Sequence, residues 1–166
     1  MRVRRSVGEA QASSGRPAGS GRPTGSGGTA GGGGAAGSTE RVGIDELLER
    51  IRKGLERVTA REAFAAAEAG DALLVDIRYA ALRERDGLIP GALVVERNEL
   101  EWRLDPYGSH RAPEAVSHDL RIVVVCNEGY ASSLAAASLQ QLGLHRTTDL
   151  IGGFQAWRSE GLPTTR

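Results

Sequence analysis

The sequence holds one cysteine, Cys126, and the residues around it are of kinds and at a spacing that favour a reactive thiolate. Cys126 ends a four-residue apolar run, Ile122 to Val125, that reads as a buried strand. Asn127, Glu128, Gly129 and Tyr130 follow as a tight polar connection, then Ala131, Ser132, Ser133 and an alanine-rich helical pattern. The spacing predicts a helix that starts just beyond the sulfur, with Ser132 or Ser133 as its N-cap. Unpaired backbone N–H groups and the positive end of a helix dipole would then face Cys126 and favour its thiolate. Helix-end sites can bring a thiol from ~8.5 to below ~7.5, which makes it a nucleophile and a leaving group near neutral pH. Gly129 permits the turn by tolerating positive φ. The N–H groups from Asn127 to Ser132 are expected to cradle an anionic sulfur. Ser132 offers either a hydroxyl donor or a plain cap, and Tyr130 either a pocket wall or an exposed turn aromatic. Glu128 opposes the dipole, since a carboxylate beside sulfur disfavours a thiolate and repels dianions.

The surrounding pattern indicates how Cys126 is positioned. Eleven of the 23 glycines lie between Gly15 and Gly37, so residues 1–40 are expected to be a disordered Gly/Ser-rich segment. Residues 41–166 are expected to form one domain. Ile44, Leu47, Leu48, Ile51 and Leu55 mark an amphipathic helix over 44–55, packed on the domain or offered to a partner, which Gly54 ends or weakens. Val58 reads as a short edge strand, and Thr59 and Glu62 as the capping box of a helix over 60–69. Leu73 to Ile77 reads as a strand with Asp76 and Arg78 near its end, a charge pair that fixes the next loop or contacts substrate. Residues 79–88 read as a polar loop, Ile89-Pro90-Gly91-Ala92 as a turn, and Leu93 to Val95 as a third strand. Asn98 is expected to cap a helix over 99–104, and residues 107–119 to be mostly loop. Gly143 stops the central helix, 147–150 form another strand, and a last helix surrounds Ala156 and Trp157. Phe154 and Trp157 are expected in the core, and Trp102 either in the pocket or simply packed. Strands alternating with helices give an α/β class with a mostly parallel sheet, in which ligands bind beyond the carboxyl ends of the strands.

Composition excludes several functions. Formal charge is balanced at 21 basic and 21 acidic residues, giving no footprint for nucleic acid. No stretch approaches the ~20 apolar residues of a membrane span. Arg2, Arg4 and Arg5 are followed by no apolar signal region, so a cytoplasmic protein is expected. His110, His118 and His145 lack ligand spacing and a fourth ligand, so neither metal nor cofactor is expected.

Four segments taken together resemble the rhodanese-like (sulfurtransferase) family in its single-domain form. They are Val75-Asp76-Ile77-Arg78, Ile89-Pro90-Gly91-Ala92, Val123 to Ser133, and Leu150 to Trp157 with Gly161-Leu162-Pro163 closing the pattern. The resemblance covers residues 58–163. It implies a central, mostly parallel sheet of about five strands flanked by helices. It also implies a Cys126 persulfide that carries sulfur from thiosulfate, 3-mercaptopyruvate or a persulfide to a thiol or cyanide. Cys126 has no second thiol to resolve it, so the acceptor is external, a small molecule or a sulfur-acceptor protein. Leu88 stands where the family usually has His. The loop also lacks the basic residues of thiosulfate-specific members, and with Glu128 in it, efficient use of thiosulfate is not implied. From Cys126 to Ala131 the loop has six residues and no closing Arg, which disfavours the related phosphatase chemistry. The alternative is a non-catalytic rhodanese-like binding or redox-sensing module, with Cys126 packed as a small apolar residue.

Overall fold

The centre of the molecule is β3 (Ile122–Val125), all four of whose side chains are fully buried. Its continuous apolar run follows from burial on both faces. Side chains alternate across a strand, so Ile122 and Val124 enter one core with Leu55, Leu100, Leu104 and Leu139. Val123 and Val125 enter the other, with Val58, Ala63, Phe154 and Trp157. Each such burial contributes roughly 1.5–3 kcal/mol relative to exposure. The structure, a computed structural model, describes residues 40–166, so the expectation for residues 1–39 lies outside the described part.

The helices are α1 (Ile44–Arg52), α2 (Ala60–Glu68), α3 (Ala80–Asp86), α4 (Leu100–Leu104), α5 (Ala131–Gln141) and α6 (Gly153–Ser159). The strands β1 (Leu73–Asp76), β2 (Leu93–Val94), β3 and β4 (Thr147–Asp149) form one parallel sheet in the order β2-β1-β3-β4. Val58 extends it by one parallel bridge to Leu150, so the fifth strand is a single residue rather than a full strand. The α/β class and the parallel sheet are as expected from the sequence.

Three local expectations need correction. Residues 80–86 are helical, not loop. They have no fully buried residue and hence no apolar period, but Ala80-Ala81-Leu82-Arg83-Glu84-Arg85 are good helix formers. Asn98 is no cap, because it lies inside a short 3-10 turn (Arg97–Glu99) that runs straight into α4. Neither Ser132 nor Ser133 caps α5. The N-cap residue is Tyr130, without a side-chain bond, and both serines sit buried in the first turn. By contrast, the Thr59–Glu62 capping box is complete: Thr59 N–H donates to Glu62 Oε2 at 2.8 Å and Glu62 N–H to Thr59 Oγ1 at 3.3 Å.

α1 keeps only part of the expected cover. Leu48 is buried and Ile51 half-buried against the core, whereas Ile44 and Leu47 are exposed. It lies against α5, which brings its last residue, Arg52, to the first turn of that helix.

Candidate active site

Cys126 follows β3 directly, and Ile77 and Arg78 follow β1, the adjacent strand, so these residues meet beyond the carboxyl ends of the strands. β1 pairs with β2 on one side and with β3 on the other, so this is where the strand order reverses. A cavity of about 400 Å³ opens there, lined by Cys126, Asn127, Glu128, Tyr130 and Ala131 on one side and by Ile77 to Tyr79, Leu82 and Arg97 on the other. Cys126 is 7% exposed at its floor. Trp102 is 64% exposed on α4 and borders a different cleft, beside Val94 and His110.

The loop is held at both ends. The Phe154 N–H donates to the Cys126 carbonyl at 2.8 Å and the Gln155 N–H to the Asn127 carbonyl at 3.0 Å, so the start of α6 pins the loop's first two residues. Gln155 Nε2 also donates to Asn127 Oδ1 at 3.0 Å. Gly129, at φ 82°, turns the chain back so that its N–H donates to Cys126 Sγ at 3.1 Å. A Cβ there would stand 2.7 Å from the Gly152 nitrogen, so the position demands glycine in space as well as in backbone angle.

Behind the loop lies a polar network that the sequence reading missed. The Cys126 thiol donates to Ser132 Oγ at 3.2 Å, and that hydroxyl donates to Asp149 Oδ2 at 2.8 Å. The Ser133 hydroxyl donates to the same oxygen at 2.9 Å. Asp149 is 0% exposed, and Arg57 holds it with two bonds, Nε to Oδ1 at 2.8 Å and Nη2 to Oδ2 at 3.1 Å. Such a pairing is what a buried carboxylate requires. Arg57 Nη2 and Arg52 Nη2 both donate to the Gly129 carbonyl, at 3.0 and 2.8 Å, and Arg52 Nε donates to Ser133 Oγ at 3.1 Å. Among the described residues Arg52 has no carboxylate partner. The serines turn inward because their hydroxyls donate to a buried carboxylate, a charge-assisted bond stronger than accepting from a helix-end N–H. The signal for Asp149 was an acid at the carboxyl end of a strand, as with Asp76. Nothing local marked Arg52 or Arg57.

The remaining expected residues fall into two groups. Glu128 and Tyr130 are both exposed at the mouth, and the Arg52 guanidinium lies 5.5 Å from the centre of the Tyr130 ring. Tyr130 is thus both a pocket wall and an exposed aromatic. Asp76 and Arg78 form a fully buried pair joined by Nη2 to Oδ2 at 2.6 Å and Nε to Oδ1 at 3.0 Å. Arg78 also donates to the Gly87 carbonyl at 2.9 Å and lies 3.6 Å over the Phe154 ring. The pair therefore fixes the cavity wall. No helix among the described residues is long and apolar enough to cross a membrane.

Comparison with known proteins agrees with this architecture. A sulfurtransferase from Allochromatium vinosum is 38% identical over 97 residues, which are 58% of this chain and 81% of that one. A structure from Rhodopseudomonas palustris, described as a protein of unknown function and possible tyrosine phosphatase, is 36% identical. It superposes with a TM-score of 0.68, covering 76% of this chain and 97% of its own. The polysulfide-sulfur transferase homodimer of Wolinella succinogenes shares the fold at a TM-score of 0.60 and 21% identity, over 74% of this chain and 86% of its own. Residues 59–160 match the family model of the rhodanese-like domain, and with a parallel sheet that carries the cysteine loop at its switch point, the chain belongs to the rhodanese-like domain family.

Proposed function

We propose that the protein is a sulfurtransferase working through a Cys126 persulfide. The observation that carries this reading is the position of Sγ, at the floor of an open cavity, with the Gly129 N–H 3.1 Å away and no second cysteine in the chain. The Cys126 thiolate attacks the outer sulfur of a donor. A sulfur–sulfur bond forms, and the bond joining that sulfur to the donor breaks, its electron pair leaving with the donor. An external thiolate or cyanide then attacks the terminal sulfur, and Cys126 leaves as thiolate. The loop N–H groups from Asn127 to Ser132 receive the terminal sulfur while it is anionic.

The cavity favours some donors over others. Its walls include Ile77, Leu82, Tyr79 and Tyr130, and its mouth carries Glu128. Both cations on the opposite wall are already engaged, Arg78 by Asp76 through Nη2 at 2.6 Å and Arg97 by Glu101 through Nη1 at 2.9 Å. A dianion such as thiosulfate meets an acid and little free positive charge, so an organic persulfide or 3-mercaptopyruvate suits the pocket better. The same feature argues against a phosphatase, which needs a cation to clamp a phosphoryl dianion. Replacing Cys126 by serine is expected to abolish sulfur transfer to cyanide, measured as thiocyanate formed; a variant as active as the native chain would refute the reading.

A further inference from the structure

We propose that Arg52 and Arg57 are positioning residues for the Cys126 loop, supplying from behind it the cationic support that the loop's own sequence lacks. Both precede residue 59, where the family match begins, so the segment that carries them is part of the active site rather than an appendage. The inference rests on the sulfurtransferase reading only for the kind of anion the loop must hold.

The Gly129 carbonyl is the point on which both arginines converge. Two guanidinium groups, at 2.8 and 3.0 Å, draw this oxygen toward the rear of the loop. In a trans peptide the N–H points opposite to the carbonyl, so the Tyr130 N–H of the same unit is aimed away from the arginines. Hydrogen bonding to charged donors also polarises the peptide and strengthens its N–H as a donor. Were the carbonyl free to turn, its partial negative charge could face the sulfur and oppose any anion there. Arg52 and Arg57 remove that alternative.

Ser132 stands between the sulfur and Asp149. Its single proton goes to Asp149 while the thiol donates to its oxygen, an arrangement suited to protonated sulfur. Once sulfur is anionic, the hydroxyl must turn and donate to it. Asp149 then retains three donors: Arg57 through both nitrogens and Ser133 through its hydroxyl. Ser133 is itself set by the Arg52 Nε. The two arginines therefore let Ser132 change partners without stranding a buried carboxylate. Arg57 is committed to that carboxylate, whereas Arg52 has no acidic partner among the described residues and leaves a net positive charge behind the sulfur. The front of the pocket keeps Glu128. Positive support from the rear with an acidic mouth holds an anionic sulfur after it forms while discouraging highly charged anions from entering.

The test uses the full chain with Arg52→Ala, Arg52→Lys and Arg52→Gln, each checked for folding by thermal unfolding. Two rates are read at one neutral pH: alkylation of Cys126 by uncharged iodoacetamide, and sulfur loading from an organic persulfide. Arg52→Ala is expected to slow both on the order of tenfold in a folded protein, and Arg52→Lys to recover most of that loss because it restores a cation. A role limited to packing α1 would lower the unfolding temperature without this dependence on charge. If Arg52→Ala does not fold, Arg52→Gln serves instead, keeping a donor but not the charge. A folded Arg52→Ala or Arg52→Gln protein that is alkylated and loaded at the native rate overturns the proposal. A native chain that accepts sulfur from no donor, but whose alkylation still depends on the charge at position 52, supports the positioning role and overturns the sulfurtransferase reading instead.

Discussion

At the residue scale the site is a cysteine whose surroundings are set by contacts far away in sequence. Cys126, Gly129 and the Asp76–Arg78 pair were legible because each belongs to a short segment with its own logic. A strand end, a tight turn and a charge pair two residues apart are all local signals. Asp149 carries a local signal, an acid at a strand end, but its partners do not: Arg57 meets Asp149 across 92 residues and Arg52 meets Gly129 across 77. The serines differ from expectation for the same reason: neighbouring residues predict a cap, whereas their acceptor, Asp149, comes from β4. Asp149→Asn leaves a mostly buried Arg57, 17% exposed in its side chain, without its counter-charge. Denaturant unfolding should show a loss of about 3 kcal/mol. Gly129→Ala forces a side chain against the Gly152 backbone at positive φ. It should cost about 2 kcal/mol or more and abolish sulfur loading, read by unfolding and by mass.

Among the elements, those with a strong apolar period or a capping signature were the readable ones. α2 is the clearest, with Thr59 and Glu62 in reciprocal bonds and Ala60, Ala63 and Ala66 on its buried face. α3 was hidden because it buries no side chain fully and is tied down instead by Arg83 to Glu96 at 2.6 Å. Thr59→Ala should lower stability by about 1 kcal/mol while leaving the sulfur site alone, as checked by unfolding and loading together. The Glu62 carboxyl is held below its ordinary range by the Thr59 N–H, and further by the Thr59 hydroxyl. A carboxyl depressed in this way contributes stability that is complete at neutral pH and fades as acid takes it through its folded-state value. The native chain should therefore lose more stability on acidification than Glu62→Gln, which lacks the titrating carboxyl, and parallel curves for the two would contradict this.

For the whole molecule, the boundary of the working unit lies further toward the N-terminus than the family match. The match begins at residue 59, yet α1, Leu55, Arg52 and Arg57 complete both a core and the cysteine loop. Removing residues 1–39 should leave unfolding temperature and sulfur loading unchanged, whereas removal through Val58 should destroy loading and expose apolar surface that binds a hydrophobic dye. Composition predicts a domain over residues 41–166, but nothing in the local sequence shows that Arg52, at the end of α1, reaches the Gly129 carbonyl. The proposed function requires Cys126 to carry sulfur. The most direct test is the intact mass of the native chain after incubation with an organic persulfide, 3-mercaptopyruvate or thiosulfate, with the adduct located by peptide mapping. The expected result is a gain of one sulfur atom on Cys126, reversed by cyanide or thiol and smallest with thiosulfate; no adduct from any of the three donors would contradict the account.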